Sequence, residues 1–295
     1  MAFEVTTSIN LMFDFEFKYP VLEQVERIHR AGFDYLDFNF SDWSDSEKSP
    51  FAQENWREWV QSVRDYSDAH GIRFTQAHGP LYNVFGEDTP LKRQLDRLSV
   101  QSIEAAAIMG IPWIVYHAGT EPGEFDAAHI ASLKEKNLRW FAPIVEACEK
   151  YNVGLAIENM ASAFGKHHGT KSCYCSNTDD LIELVDAFGS DKVGICWDTG
   201  HANVEHTNQV EDLRKIGKRL KAIHIQDNNG VMDQHLPPYL GNLDWPLLMH
   251  TFREIGYEGP FTFEAHTEVR KMPSPCQDDA MRLLKSLGDY LVSLK

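Results

Sequence analysis

The chain has 295 residues, 43% of them hydrophobic, and 28 Lys+Arg against 44 Asp+Glu give a formal net charge of −16. So acidic a surface repels a phosphate backbone, which disfavours nucleic acid as a partner and leaves small uncharged or metal-bound substrates unaffected. No apolar run approaches the roughly 20 residues that cross a bilayer, so no membrane partner is expected.

The opening stretch MAFEVTTSINLMF lacks a basic start and a continuous apolar run, so it reads as a strand and not as a signal peptide. Cysteines 148, 173, 175, 196 and 276 have no disulfide-type spacing. Reduced thiols and a cytoplasmic location are expected.

Strands are expected at Val5–Ile9, Tyr35–Phe40, Ile72–Ala77, Trp113–His117, Gly154–Glu158, Val193–Trp197, Ala222–Ile225 and Phe261–Glu264. Most are short apolar runs, as strands buried on both faces of a parallel sheet are. Helical stretches lie between them, among them Val21–Arg30, Trp56–His70, Leu91–Met109, Ala127–Tyr151, Thr178–Phe188 and Trp245–Ile255. Gly71 and Gly110 stand where two of these should stop.

Eight such alternations fit a closed barrel or an open doubly wound sheet. After the first strand the chain reads NLMFDFEF, without the glycine-rich phosphate loop an open sheet usually carries there. A single α/β domain over residues 1–295, a (β/α)8 TIM barrel, is therefore expected. Ser41–Pro50 and Ala161–Asn177 read as long βα loops, the second a candidate lid.

The ends of the strands carry the chemistry. Strand three ends in His78, four in His117, five in Glu158, six in Asp198 with His201 close behind, seven in His224 followed by Asp233 and His235, and eight in Glu264. In a parallel barrel all these ends share one face, where such folds place their active sites. Imidazole and carboxylate are the ligand types of divalent metals, and burying so many together is costly without a cation. The set admits Mn, Mg, Co or Zn. His29, His70, His129 and His250 fall in helical stretches and read as packing or surface residues, and His206 and His266 are read the same way. Phe13, Trp43, Tyr82, Phe85, Trp113 and Trp197 are candidates for an apolar wall of the site.

I-E-N-M at 157–160, D-T-G-H-A-N at 198–203, I-H-I-Q-D-N-N-G at 223–230, D-Q-H-L-P-P at 233–238 and F-E-A at 263–265 resemble the xylose-isomerase-like superfamily. That group includes sugar isomerases and epimerases, inosose dehydratases and apurinic-site endonucleases of the endonuclease IV type. The resemblance to the epimerases implies a metal held by Glu158, Asp198, His224 and Glu264. It also implies an acid/base pair in Glu158 and Glu264, proton transfer through an enediolate, and a substrate contact at His201. His78, His117, Trp113, Asp233 and His235 complete the expected substrate site. The resemblance to the endonucleases implies three zinc ions on His78, His117, Glu158, Asp198, His201, His224, Asp233, His235 and Glu264. The arginine that ketose 3-epimerases place after the strand-seven histidine is absent from IQDNNGVM. The expected partner is a small polyhydroxy substrate; homo-oligomerisation is left open.

Overall fold

The computed structural model describes residues 3–12, 20–162 and 173–294. Strands β1 (Val5–Ser8), β2 (Tyr35–Asn39), β3 (Arg73–His78), β4 (Trp113–His117), β5 (Gly154–Glu158), β6 (Val193–Asp198), β7 (Leu220–Ile225) and β8 (Phe261–Phe263) close into one parallel barrel in chain order. This is the expected (β/α)8 TIM barrel. The ring of helices is α1 (Val21–Arg30), α2 (Trp56–Ala69), α3 (Pro90–Met109), α4 (Ala127–Tyr151), α5 (Thr178–Ala187), α6 (Thr199–Val204), α7 (Gln209–Ile216), α8 (Trp245–Glu254), α9 (Thr267–Lys271) and α10 (Ser274–Ser293).

Local chemistry sets the helix ends. Thr89 accepts a hydrogen bond from the Lys92 amide and Pro90 opens α3, while Gly110 closes it at φ 73°. Asp126 and Asn177 cap α4 and α5 in the same way. Helix α10 was not anticipated, although Gln277, Met281, Leu284, Gly288 and Leu291 bury one face at steps of three and four.

Alternation along the strands divides the core in two. Outward residues such as Leu36, Phe38, Ile114, Tyr116, Ile157, Trp197, Ile223 and Phe263 are fully or almost fully buried under the helices. Each such side chain contributes about 1.5–3 kcal/mol by leaving water. Inward residues are smaller: Val115, Ala156, Cys196 and Ala222 form a compact apolar cluster on β4 to β7. Small residues in the middle layer let the longer side chains above them lean toward the axis.

Strand register places the upper layer. His117 pairs with Glu158, Asp198 with His224, and Asn39 with His78, all at the C-terminal ends. Glu264 lies one residue beyond β8, and its amide donates to the Ile225 carbonyl at 3.0 Å. Among the described residues no helix is long and apolar enough to cross a membrane, and none of the five cysteines is bridged.

Candidate metal centre

Seven of the nine expected site residues other than Trp113 stand at the ends or just beyond the ends of β3 to β8, and the other two, Asp233 and His235, arrive on the loop after β7. The main chain of that loop is fixed by the buried Asp227. Its carboxylate accepts from the Trp245 indole at 2.9 Å and from the amides of Asn228 and Tyr239 at 2.9 and 3.0 Å. Asp227 and Leu236 form an isolated bridge that closes the loop's base.

The residues fall into three groups whose ligand-type atoms all lie within 4.8 Å of one another: His78, His117 and Glu158; Glu158, Asp198, His224 and Glu264; and His201, Asp233 and His235. Glu158 joins the first two. Its Oε2 lies 3.0 Å from His117 Nε2, and its Oε1 lies 2.9 Å from His224 Nδ1. Glu264 Oε2 stands 3.3 Å from the same His224 nitrogen. Asp233 Oδ2 is 2.9 Å from His235 Nε2 and 3.4 Å from His201 Nε2.

Three histidines share one arrangement. Nδ1 of His78, His201 and His235 lies 2.8, 2.9 and 2.8 Å from the carbonyls of Gly79, Asn159 and Glu264. Donation there fixes the tautomer and turns Nε2, an acceptor in the neutral ring, toward a carboxylate. Ligating imidazoles are oriented in just this manner by their outer hydrogen bond. With carboxylates alongside, the donor set fits a hard to borderline divalent cation.

Asp198 serves twice. Its Oδ1 accepts from the His201 amide at 2.6 Å, capping α6 and so setting where His201 stands. Gln226, fully buried, donates through Nε2 to Asp198 Oδ1 at 3.2 Å and to Asp233 Oδ1 at 2.5 Å. One amide thus ties the central group to the third.

Burial opposes charge throughout, and the imidazoles counter it. Burial alone would raise Glu158, but His224 and His117 hold it well below the usual carboxylate range. Glu264 is likewise lowered by His224 and His235 against burial. Asp198 is pushed up to about 6 by burial, with His201 opposing. On the imidazole side burial lowers and carboxylates raise: His224 ends well above its ordinary value, and His235 at about 9. Without a metal, protons on histidine supply the positive charge that the carboxylates require.

Above this centre opens a cavity of about 710 Å³, within the range of small-ligand sites. His117, His201, Asp233, His235 and Glu264 reach it, whereas Glu158 is fully buried beneath. Asn10, Asn39, Asp42 and Arg270 supply its polar wall, and Leu81, Met160 and Met232 an apolar one. Asn10 and Asn39 sit at the ends of β1 and β2, the same positional signal that revealed the acids. Arg270 comes from the short α9 and had no periodic signal. His266, read as a packing residue, also lines the cavity; its ring centroid is 4.5 Å from that of His235, and burial pushes it down to about 3.

Most of the expected aromatic wall lies elsewhere. Trp113 is the first residue of β4, which puts it at the opposite rim, beneath Val115, Ala156, Cys196 and Ala222. It therefore does not meet a substrate at the mouth. Trp197 points outward, and its indole donates to Gln209 at 3.1 Å. Trp43 packs on Trp59 at 5.2 Å, the Tyr82 hydroxyl donates to Asp96 at 2.6 Å, and Phe85 packs against Gly119. Phe13 and the centre of the expected lid lie outside the described residues.

Carboxylates and imidazoles gathered at the C-terminal mouth of a closed parallel barrel define a class of barrel equipped to hold divalent metal. The chain belongs to the xylose isomerase-like TIM barrel family, which it matches over residues 25–287. It is 31% identical to the Methanocaldococcus jannaschii protein MJ1311 over 79% of this chain and 74% of that one. It is 25% identical to a D-psicose 3-epimerase of Enterocloster bolteae over 81% and 75%. With a probable endonuclease 4 of Mesomycoplasma hyopneumoniae it shares 27% identity over 51% of this chain and 52% of that one. The fold superposes on a D-tagatose 3-epimerase-like protein with a TM-score of 0.73, at 19% identity and 98% coverage of both chains.

Proposed function

We propose that the protein is a divalent-metal-dependent isomerase or epimerase of small polyhydroxy carbonyl compounds: sugars, sugar phosphates or cyclitols. The observation that carries this reading is the convergence of Glu158, Asp198, His224 and Glu264 on one point below a 710 Å³ cavity. These four residues would hold the ion. A bound divalent cation polarises a carbonyl and an adjacent hydroxyl, and so acidifies the neighbouring C–H.

The chain's own groups do the rest. Glu264, ionised and reaching the cavity, removes the proton from the carbon beside the carbonyl. The electron pair moves onto the carbonyl oxygen, beside which His117 and His201 line the cavity. Glu158, whose Oε1 lies 2.9 Å from the same His224 nitrogen that Glu264 approaches, is the second carboxylate of the pair; in its protonated form it would return a proton to the opposite face, and proton exchange with water would reset the two acids. A dehydratase would share the first step and then expel a β-hydroxyl.

The test is to incubate metal-loaded protein with ketoses, their phosphates and inososes in deuterated water and follow the carbon-bound protons by NMR. Exchange at one carbon, abolished by Glu264→Gln, supports the proposal. Water loss from the same substrate would identify the dehydratase. Silence across the panel together with cleavage of an abasic duplex contradicts it.

One observation favours that second reading, a phosphodiester hydrolase. Glu158 divides its two oxygens between two groups, and His201, Asp233 and His235 assemble a third. About three ions per chain would support it, since multinuclear centres clamp both oxygens of a displacement. The net charge of −16 weighs against a polyanionic substrate.

A further inference from the structure

The opposite end of the barrel holds a second cavity, about 630 Å³, walled by Arg64, Arg73, Trp113, Lys218, Lys221 and Tyr257 among others. In this family's fold that face ordinarily serves stability. Here it gathers cations in a chain with a large excess of acid.

Two glycines behind the wall make room for two of its residues. A Cβ on Gly154 would lie 2.1 Å from Trp113 Cε3, and a Cβ on Gly194 would lie 2.3 Å from Lys221 Cγ. Any larger residue at either position displaces the ring or the lysine stem. The two absences of side chain therefore seat an indole and an ammonium together, with Lys221 Nζ 5.7 Å from the Trp113 ring centroid.

Charge pairing separates the wall into spent and open groups. Arg73 is held by Glu4 at 3.0 Å, and Arg64 by Asp68 at 2.6 Å. Lys218 and Lys221 have no carboxylate within ion-pair distance among the described residues. Glu258, the remaining acid of the wall, is exposed. A half-buried indole beside two ammonium groups that have no carboxylate partner among the described residues is complementary to a planar ring carrying an anionic group.

We infer that the N-terminal end of the barrel is a second ligand site, remote from the metal centre, for a small planar-ring anion of the nucleotide type. Ring stacking on Trp113 and charge pairing with Lys218 and Lys221 divide the recognition. The site does not depend on the chemistry proposed at the mouth.

The experiment is isothermal titration of EDTA-treated full-length protein at low salt, first with adenosine 5′-monophosphate and then with inorganic phosphate. Saturable binding of the nucleotide with a Kd of about 0.1 mM is expected for a partly open site of this size. Phosphate, which offers no ring, should bind roughly tenfold more weakly or worse, and Lys218→Ala/Lys221→Ala should weaken the nucleotide by a similar factor. Trp113→Phe, which keeps a ring, should bind more tightly than Trp113→Leu, with circular dichroism confirming that each variant folds. Absence of saturable nucleotide binding overturns the inference. So does equal affinity for phosphate, or binding that survives loss of both lysines and disappears in His224→Ala, which would put the nucleotide at the mouth.

Discussion

The two rims of the barrel are made from the same eight strands, yet they handle charge in opposite ways. At the N-terminal rim, Glu4 and Asp68 meet Arg73 and Arg64 at 3.0 and 2.6 Å, exposed pairs that satisfy one another locally. At the C-terminal rim, Glu158, Asp198 and Glu264 are fully or mostly buried, and among the described residues their ion-pair partners are histidines alone. An exposed pair closes its own account electrostatically. A buried carboxylate neighboured by titratable imidazoles leaves room for a cation, and that difference, more than the count of acids, marks the functional end.

The comparison is broken most sharply at Glu158, which joins two of the three groups. Glu158→Gln should cut turnover by roughly 10²–10⁴ if it is an acid/base group. It should also lower bound metal per chain, read by elemental analysis, while circular dichroism stays native. Unchanged metal content would mean that Glu158 is not a ligand.

A smaller effect follows from pH. In the metal-free protein His235 is raised from 6.5 to about 9, burial being outweighed by Asp233 and Glu264. A group raised on folding contributes stability that is complete below the unfolded value and is lost as pH climbs through the folded one. The melting temperature of EDTA-treated protein should therefore fall between pH 6.5 and 9. Metal-loaded protein, whose ligands are already deprotonated, should hold its melting temperature across that window, because metal competes with the protons. Parallel melting curves with and without metal would contradict this.

Gln226→Leu removes the amide that bridges Asp198 and Asp233. Losing such an outer partner typically costs about 10–100-fold in metal affinity or activity, less than losing Glu158. A competition titration with a chelator measures it. Least of all, Glu4→Gln breaks only an exposed pair, and should change stability by about 1 kcal/mol or less without altering metal content. A large effect there would erase the distinction between the rims.

The strands are legible in the sequence because their apolar runs are bounded and short, and the candidate ligands are legible because each stands at such a boundary. Trp113 shows where that reasoning stops. Its aromatic character is legible, but as the first residue of its strand it is sent to the other rim by strand direction alone. Gln226 and Asp227 were invisible for another reason. Their roles arise from hydrogen bonds that exist only once β6, β7 and the following loop are packed together. His266 stands near the mouth in the sequence and reads there as a packing residue; the cavity's shape shows that it faces the site. Helix α10 is legible from the spacing of Gln277, Met281, Leu284, Gly288 and Leu291.

The most direct test is elemental analysis of the purified protein beside Glu158→Gln and His224→Ala, after dialysis against each of Mn, Mg, Co and Zn. The account predicts at least one tightly held ion per wild-type chain, lost or sharply reduced in both variants. Wild-type protein that retains no divalent ion from any of these solutions would contradict it.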